Sequence, residues 1–560
     1  MSVNRISQTI TNNISNGAAR AMLYGVGLKR IDLRKYLVGI GSMQFDINPC
    51  NKHLGYLQDL AKKSVNEANM VGLSFNTIGV SDGITNGNSG MRYSLPSREL
   101  IADSIETMIN AHHYDGAVLI PGCDKNLPAT MMAMGRINRP SVLLYGGSML
   151  PGVYKNKPVD IVNAFQSYGQ LINNQITIKQ REDLLESCCH KNGGSCSGMY
   201  TCNTMATIAE VMGLTIPFSS SYPASSSEKR MECSNIGKHI FNLLQNDIKP
   251  RDIVTRDSFL NAIKLTTILG GSTNAVIHLL AIAKEFDIQL SLQDFQDISN
   301  NTPILGNLKP HGKYTMNDIH YQVNGLPTIL KYLIKNNIID GRTYTITGHT
   351  LQDNIDKLNL PDLDFQQKVI FPMHKPFKED GHIRVMKGNL SPKGAIAKIS
   401  GNEGEYFHGT AKVYDNEDSM IQDLEDGNII EGNVVVIRYQ GPKGGIGMPE
   451  MLKPSSALVG AGLSNKVALI TDGRWSGGSS GFLVGHITPE AIEKGPIAII
   501  QDGDQIDIDA KLNTITLLIS DEEIQTRMKK ITLPINESNM GYLNKYQKLV
   551  SDASNGCVTN

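Results

Sequence analysis

A thiol and a carboxylate stand side by side in Pro121-Gly122-Cys123-Asp124-Lys125-Asn126. Sulfur suits iron or zinc and carboxylate oxygen suits magnesium, so neighbours in one loop can serve two different metals. Taken alone, the segment equally suits a surface turn with a buried cysteine. Two more cysteines lie in loops of similar character: Cys50 in Asn48-Pro49-Cys50-Asn51 and Cys196 in Gly193-Gly194-Ser195-Cys196-Ser197-Gly198. Glycines there let an inorganic cluster approach the backbone and offer N–H donors to sulfide. The three thiols fit no compact zinc spacing of the CxxC kind, so one cluster can hold all three only if the fold gathers them. Hard oxygen donors are available from Asp82 in Val80-Ser81-Asp82-Gly83, from Asp124, and from Glu450 in Met448-Pro449-Glu450-Met451. Each on its own reads more readily as a solvated charge or a helix cap. Ser476 is flanked by small residues in Trp475-Ser476-Gly477-Gly478. Serine is a poor base unless something such as a metal lowers its pKa. It has no G-x-S-x-G elbow, which argues against a triad hydrolase. The Gly441–Gly447 run lacks the Walker and GxGxxG contexts of a phosphate cradle.

Such loops need strands and helices to place them. The pattern predicts a strand over Met70–Phe75, a glycine-rich loop to Gly90, a helix from Ser97 to about His113, and a strand over Gly116–Ile120 that ends at the Cys123 loop. A helix from Leu127 to about Ile137 and a strand over Ser141–Tyr145 follow. This alternation predicts an α/β domain with a mostly parallel sheet flanked by helices. Ligand sites in such sheets form beyond the carboxyl ends of the strands. From about Lys375, glycine-rich turns separate short strands (Asn433–Tyr439, Val467–Thr471, Ile497–Ile508), which predicts a smaller β-rich, barrel-like domain. Pro361, Pro372 and Pro376 place the boundary near 370, giving domains 1–370 and 371–560. Cys50-Asn51-Lys52-His53-Leu54 echoes Cys123-Asp124-Lys125-Asn126-Leu127, but the flanks diverge and the echo reads as chance.

The chain has 560 residues, long enough for two or more cores, with 53 Lys+Arg against 54 Asp+Glu. That balance leaves no excess positive potential for a polyphosphate, which argues against nucleic acid as a partner. No apolar run approaches the roughly 18 residues that cross a bilayer. The first twenty residues are polar, with Arg5 and Arg20 as their only cations and no apolar signal core, so a cytoplasmic location is expected. Eight irregularly spaced cysteines do not make a secreted disulfide framework.

Together, and in this order, these motifs resemble the dihydroxy-acid dehydratase and 6-phosphogluconate dehydratase family. The resemblance runs from about Ala18 to about Tyr546. It is strongest at Pro49-Cys50-Asn51, Gly122 to Lys125, Gly193 to Met199, Gly270-Gly271-Ser272-Thr273-Asn274, Gly441 to Glu450 and Thr471 to Gly478. It implies that Cys50, Cys123 and Cys196 ligate one iron–sulfur cluster and that Asp82, Asp124 and Glu450 hold magnesium. It also implies that Lys125 is carboxylated on its amine, which resolves the oddity of an ammonium beside a cation, and that Ser476 is the proton acceptor. The first domain would carry the cysteines and most magnesium ligands, and the second would add Glu450 and Ser476. The implied reaction removes water from 2,3-dihydroxy-3-methylbutanoate, and from its 3-methylpentanoate homologue, on the way to valine, isoleucine and leucine. Magnesium would bind the carboxylate and C2 hydroxyl, and an iron left short of a protein ligand would act as Lewis acid at the C3 hydroxyl. Gly481-Phe482-Leu483-Val484-Gly485-His486 resembles the [2Fe–2S] branch, although three cysteines also serve a [4Fe–4S] cluster. A homodimer is likewise implied by resemblance alone.

Trp475, Ser480 and Met43-Gln44-Phe45-Asp46 depart from the usual family wording without removing a ligand. They leave a sugar acid or 6-phosphogluconate open as substrate. A non-catalytic iron–sulfur redox sensor would keep the cysteines but have no use for Asp82, Glu450 or Ser476. Cys188, Cys189, Cys202, Cys233 and Cys557 match no family ligand and read as structural or free thiols. His278 and His486 sit beside apolar runs and read as core histidines.

Overall fold

The computed structural model describes residues 4–534 and 541–560. Four parallel strands, β1 (Leu37–Ser42), β2 (Val71–Asn76), β3 (Gly116–Ile120) and β4 (Ser141–Leu143), form one sheet in the order β2-β1-β3-β4. Val38 pairs with Gly72 on one side and Gly116 on the other. All of β1, β3 and β4 is buried, as expected for parallel strands covered by helices on both faces. One covering helix, Leu54–Glu67, buries Leu54, Leu57, Ala61 and Val65 along a single stripe. It packs on the helix Ser227–Asn246, where Gly237 lets the two backbones approach. The chain winds outward from β1 to β2, then crosses to the other side for β3 and β4. The reversal lies between β1 and β3, which is where open α/β sheets leave a crevice for ligands.

The second unit is a closed eight-stranded barrel. Its order is Asn433–Ile437, Ala468–Thr471, Phe482–Thr488, Ser391–Lys398, Ile383–Gly388, Thr514–Leu517, Gln505–Asp509 and Tyr406–Tyr414, which pairs back with the first. Val434, Val436, Ala468, Ile470, Phe482, Val484, Ile506, Ile508 and Ile515 share one core cluster. The predicted strand over Ile497–Ile508 is corrected: Pro496–Ile499 forms a 3₁₀ turn, and the strand begins only at Gln505. Pro496 suits a helical first turn but supplies no N–H to a sheet, and Gly503 turns the chain with φ +92°. The first-domain helix starts at Ser94, not Ser97, because Pro96 is tolerated in a helix's first turn. The cysteine echo has a structural counterpart, since Cys50 and Cys123 each sit between a neighbouring parallel strand and its following helix. Among the described residues, no helix is long and apolar enough to cross a membrane.

Candidate active site

Five of the six predicted site residues in the first unit follow a strand's carboxyl end. Cys50 follows β1, Asp82 opens the short helix after β2, and Cys123, Asp124 and Lys125 link β3 to the helix Asn126–Ile137. Cys196 arrives on a later loop whose Ser195 bridges to Ser148. Glu450-Met451 and Arg474-Trp475 form a two-residue parallel ladder outside the barrel, and the Ser476 amide donates to Met451 O at 3.1 Å. The fold brings all eight predicted residues into one place. Cys50, Cys123, Cys196, Asp82, Asp124, Glu450 and Ser476 line a single pocket, and Lys125 lies buried against two of its carboxylates.

The soft donors form one group. The Cys50 thiol lies within hydrogen-bonding reach of both Cys123 and Cys196, and these neighbours, together with burial, push it well above the usual thiol range. Three crowded thiols are poor company as thiolates unless a cation joins them, so the donor set fits a cluster or a soft metal. Cys123 has φ +95°, an unusual conformation for a residue with a Cβ, and its amide donates to Cys202 Sγ at 3.2 Å. Cys202 also donates to Ser195 Oγ at 3.0 Å, and Asn203 Nδ2 donates to Cys196 O at 2.6 Å. The Cys123 and Cys196 loops are therefore tied to one helix turn. Asn48 Nδ2 points at Cys123 Sγ from 3.6 Å.

The hard donors form a second group. Ligand oxygens of Asp82, Asp124 and Glu450 all lie within 4.8 Å of one another. Burial pushes Asp124 up to about 7, with Asp82 and Glu450 adding repulsion against the pull of Lys125. Burial also works against the Glu450 carboxylate, but Lys125 and Arg474 outweigh it and hold its pKa below the usual value. Lys125 Nζ contacts Asp82 and lies 3.1 Å from Glu450. Three buried carboxylates converging on one point fit a divalent cation with oxygen ligands.

Sequence reasoning missed the residues that hold Glu450. Arg474 pairs with it, Asn274 Nδ2 donates to it at 3.1 Å, and Asn86 clasps its strand through Glu450 O at 2.8 Å and the Leu452 amide at 3.1 Å. Arg474 and Asn274 lie inside motifs already singled out, but their partner is not adjacent in sequence. His278 and His486 are fully buried neutral imidazoles, as expected; burial, followed by Arg474, pulls His486 down to about 3. Ile161, Val162, Phe165 and Leu452 give the pocket an apolar side.

Two family models cover this architecture. The dihydroxy-acid/6-phosphogluconate dehydratase N-terminal model matches residues 35–354, and the corresponding C-terminal model matches residues 368–557. The chain belongs to this dehydratase family. Its members are hydro-lyases. The chain is 52% identical to a dihydroxy-acid dehydratase of Francisella tularensis subsp. novicida, covering 100% of this chain and 99% of the relative. It is 53% identical to the mitochondrial dihydroxy-acid dehydratase astD of Aspergillus terreus, over 100% and 93%. A mitochondrial dihydroxy-acid dehydratase of Saccharomyces cerevisiae is 52% identical, over 99% and 96%. In this dehydratase chain, the family's two matched regions meet where the Glu450 ladder faces the loops beyond β1, β2 and β3.

Proposed function

We propose that the chain dehydrates (2R)-2,3-dihydroxy-3-methylbutanoate and its 3-methylpentanoate homologue to the 2-oxo acids of branched-chain amino-acid biosynthesis. The observation that carries this reading is the pocket itself, which sets thiols, carboxylates and Ser476 against an apolar side made by Ile161, Val162, Phe165 and Leu452. A branched alkyl substrate fits such a wall. A 6-phosphogluconate reading is less well supported: the described residues lining the pocket include no lysine or arginine, and the adjacent Lys125 and Arg474 are engaged with Asp82 and Glu450.

Cys50, Cys123 and Cys196 would hold the iron–sulfur cluster, [2Fe–2S] or alternatively [4Fe–4S], and Asp82, Asp124, Glu450 and a carboxylated Lys125 would hold magnesium. When bound, these groups supply Lewis acidity to the substrate's oxygens. Ser476, as its alkoxide, takes the C2 proton at Oγ and returns it to the departing C3 oxygen. The C3 hydroxyl leaves as water, and the enol that remains tautomerises to the 2-oxo acid. Arg474 and Asn274 fix the Glu450 carboxylate, while the apolar side orients the alkyl group and excludes bulk water. A homodimer belongs to the same proposal: Ile14, Met22, Val26 and Ile31 are exposed on the N-terminal arm and offer apolar surface for association. So does a cytoplasmic location, supported by eight free cysteines, which suit a reducing compartment.

Anaerobic purification with iron, sulfide and magnesium analysis, native mass spectrometry of Lys125, sedimentation and a keto-acid assay test these points together. Turnover of the branched dihydroxy acid well above that of gluconate, arabinonate and 6-phosphogluconate is expected. The reverse preference overturns the substrate. Loss of dehydration in Ser476→Ala with cluster absorbance retained is expected for a base; full turnover in that variant overturns the assignment.

A further inference from the structure

Lys398 ends a barrel strand as a buried ammonium, and among the described residues it forms no ion pair. Burial pulls it down to about 8 against the attraction of Glu403, so the charged form predominates at neutral pH. Leaving a cation in such a place is costly unless it finds acceptors. Its acceptors are two carbonyls of the turn that carries Ser476: Lys398 Nζ donates to Ser479 O at 2.9 Å and to Gly477 O at 3.3 Å.

The Gly477 carbonyl and the Gly478 amide belong to one peptide unit, and that amide donates to Ser476 Oγ at 3.4 Å. The ammonium therefore sits at the negative end of a peptide dipole whose positive end faces the serine oxygen. Each such unit carries about 3.5 D, and a cation at its oxygen strengthens the N–H as a donor. The rest of the turn is held independently. Ser479 N donates to Ser476 O at 3.0 Å, Ser476 N donates to Met451 O, and Ser455 Oγ donates to Ser479 Oγ at 2.9 Å. Gly477 has no room for a side chain, since a Cβ would meet the Thr201 amide at 2.8 Å. The turn thus has anchors enough for its shape without a charge, and a methionine would fill the Lys398 position without the cost of burying one.

We propose that Lys398 is a positioning residue for Ser476, which orients and polarises the Gly477–Gly478 peptide so that its N–H supports negative charge on Ser476 Oγ as the C2 proton is removed. The inference rests on the reading of Ser476 as the base. The test compares Lys398→Met, Lys398→Arg, Ser476→Ala and the Lys398→Met/Ser476→Ala double variant in the loaded enzyme, using substrate with protium or deuterium at C2. Lys398→Met is expected to lower kcat by about 10- to 100-fold with KM nearly unchanged. It should also raise the C2 isotope effect on kcat/KM, because proton removal becomes more rate-limiting. Lys398→Arg should restore most of kcat. Hydrogen–deuterium exchange of the segment from 474 to 482 and cluster absorbance should both stay unchanged in Lys398→Met, because the remaining anchors hold the turn. The double variant should lose no more than Ser476→Ala. If Lys398→Met does not accumulate folded, Lys398→Gln carries the same comparison. Unchanged kcat and isotope effect in the neutral variant, with Ser476→Ala inactive, overturn the role of Lys398 alone. An active Ser476→Ala overturns the base reading instead.

Discussion

The two halves of the barrel bury their strands differently. In Asn433–Ile437, Val434 and Val436 face the barrel core, while Val435 and Ile437 pack outward under Met451, Leu458 and Trp475. In Gln505–Asp509, Ile506 and Ile508 face the core, and Gln505, Asp507 and Asp509 are partly exposed. The first strand is parallel to its neighbours; the second is antiparallel to both of its own. Antiparallel neighbours can be joined by a tight turn, as Gly388 to Ser391 shows, whereas parallel strands need a long crossover. Those crossovers are where the chemistry sits. Glu450 follows Asn433–Ile437 and Ser476 follows Ala468–Thr471, just as Cys50, Asp82 and Cys123 follow β1, β2 and β3. Among the antiparallel strands, Ser391–Lys398 touches the site's turn through Lys398, which pairs with Leu483 on one side and Ile383 on the other.

Four experiments break or sharpen this contrast. The largest effect is expected at the crossover residue Glu450. Glu450→Gln should lower turnover by about 10³-fold, as should Asp82→Asn, because each removes a charge from the proposed magnesium site, where a bound metal would supply several kcal/mol. Near-normal turnover in Glu450→Gln beside a dead Asp82→Asn would reduce the barrel to a scaffold. Next, Ile470→Ala inside the barrel should cost about 3 kcal/mol in urea unfolding while kcat stays unchanged in the folded enzyme. A fall in kcat would show that the core sets the site's geometry directly. Gly122→Ala places a methyl 2.7 Å from Cys50 O and should cost about 2 kcal/mol together with a drop in bound iron per chain. Full iron content would mean that the β1 and β3 loops move independently.

The smallest effect concerns pH. The half-buried His311 ring packs against Phe377 and His382, and desolvation, followed by Lys398, depresses its pKa to about 3. Above pH 6.5 the imidazole is neutral in both folded and unfolded chains, and the stability is complete. As pH falls from 6.5 toward 3 only the unfolded chain takes the proton, so about 1.4 kcal/mol is lost per pH unit. Unfolding free energies of the native protein and His311→Gln should diverge by about 1 kcal/mol between about pH 7 and about pH 5.5, which is less than either packing variant costs.

Much of this was legible from residue order. Gly116–Ile120 is short, apolar and glycine-bounded, and it forms the predicted strand. The Cys123 loop announces itself by stacking a thiol, a carboxylate and an amine after that strand. What stayed hidden depends on distance along the chain. Lys125 and Glu450 are 325 residues apart, and Asn86 is 364 residues from the carbonyl it holds. Periodicity reports local structure, and nothing local marks Lys398 as different from any lysine at a strand end. The run Ile497–Ile500 misled because apolarity signals burial, and a buried 3₁₀ turn is as apolar as a strand.

The division of the pocket between two units has a consequence for the chain as it is made. Cys50, Cys123 and Cys196 are all synthesised before the residues that roof them, and Ser476 follows Cys196 by 280 positions, from 196 to 476. At 5–20 residues per second, the sulfur side emerges roughly 15 to 60 seconds before the oxygen side is complete. During that interval the nascent sheet unit presents an uncovered crevice. For the proposed cluster, delivery of iron and sulfide and oxidation of the bare thiols would compete for that opening before the last two hundred residues arrive and shut it.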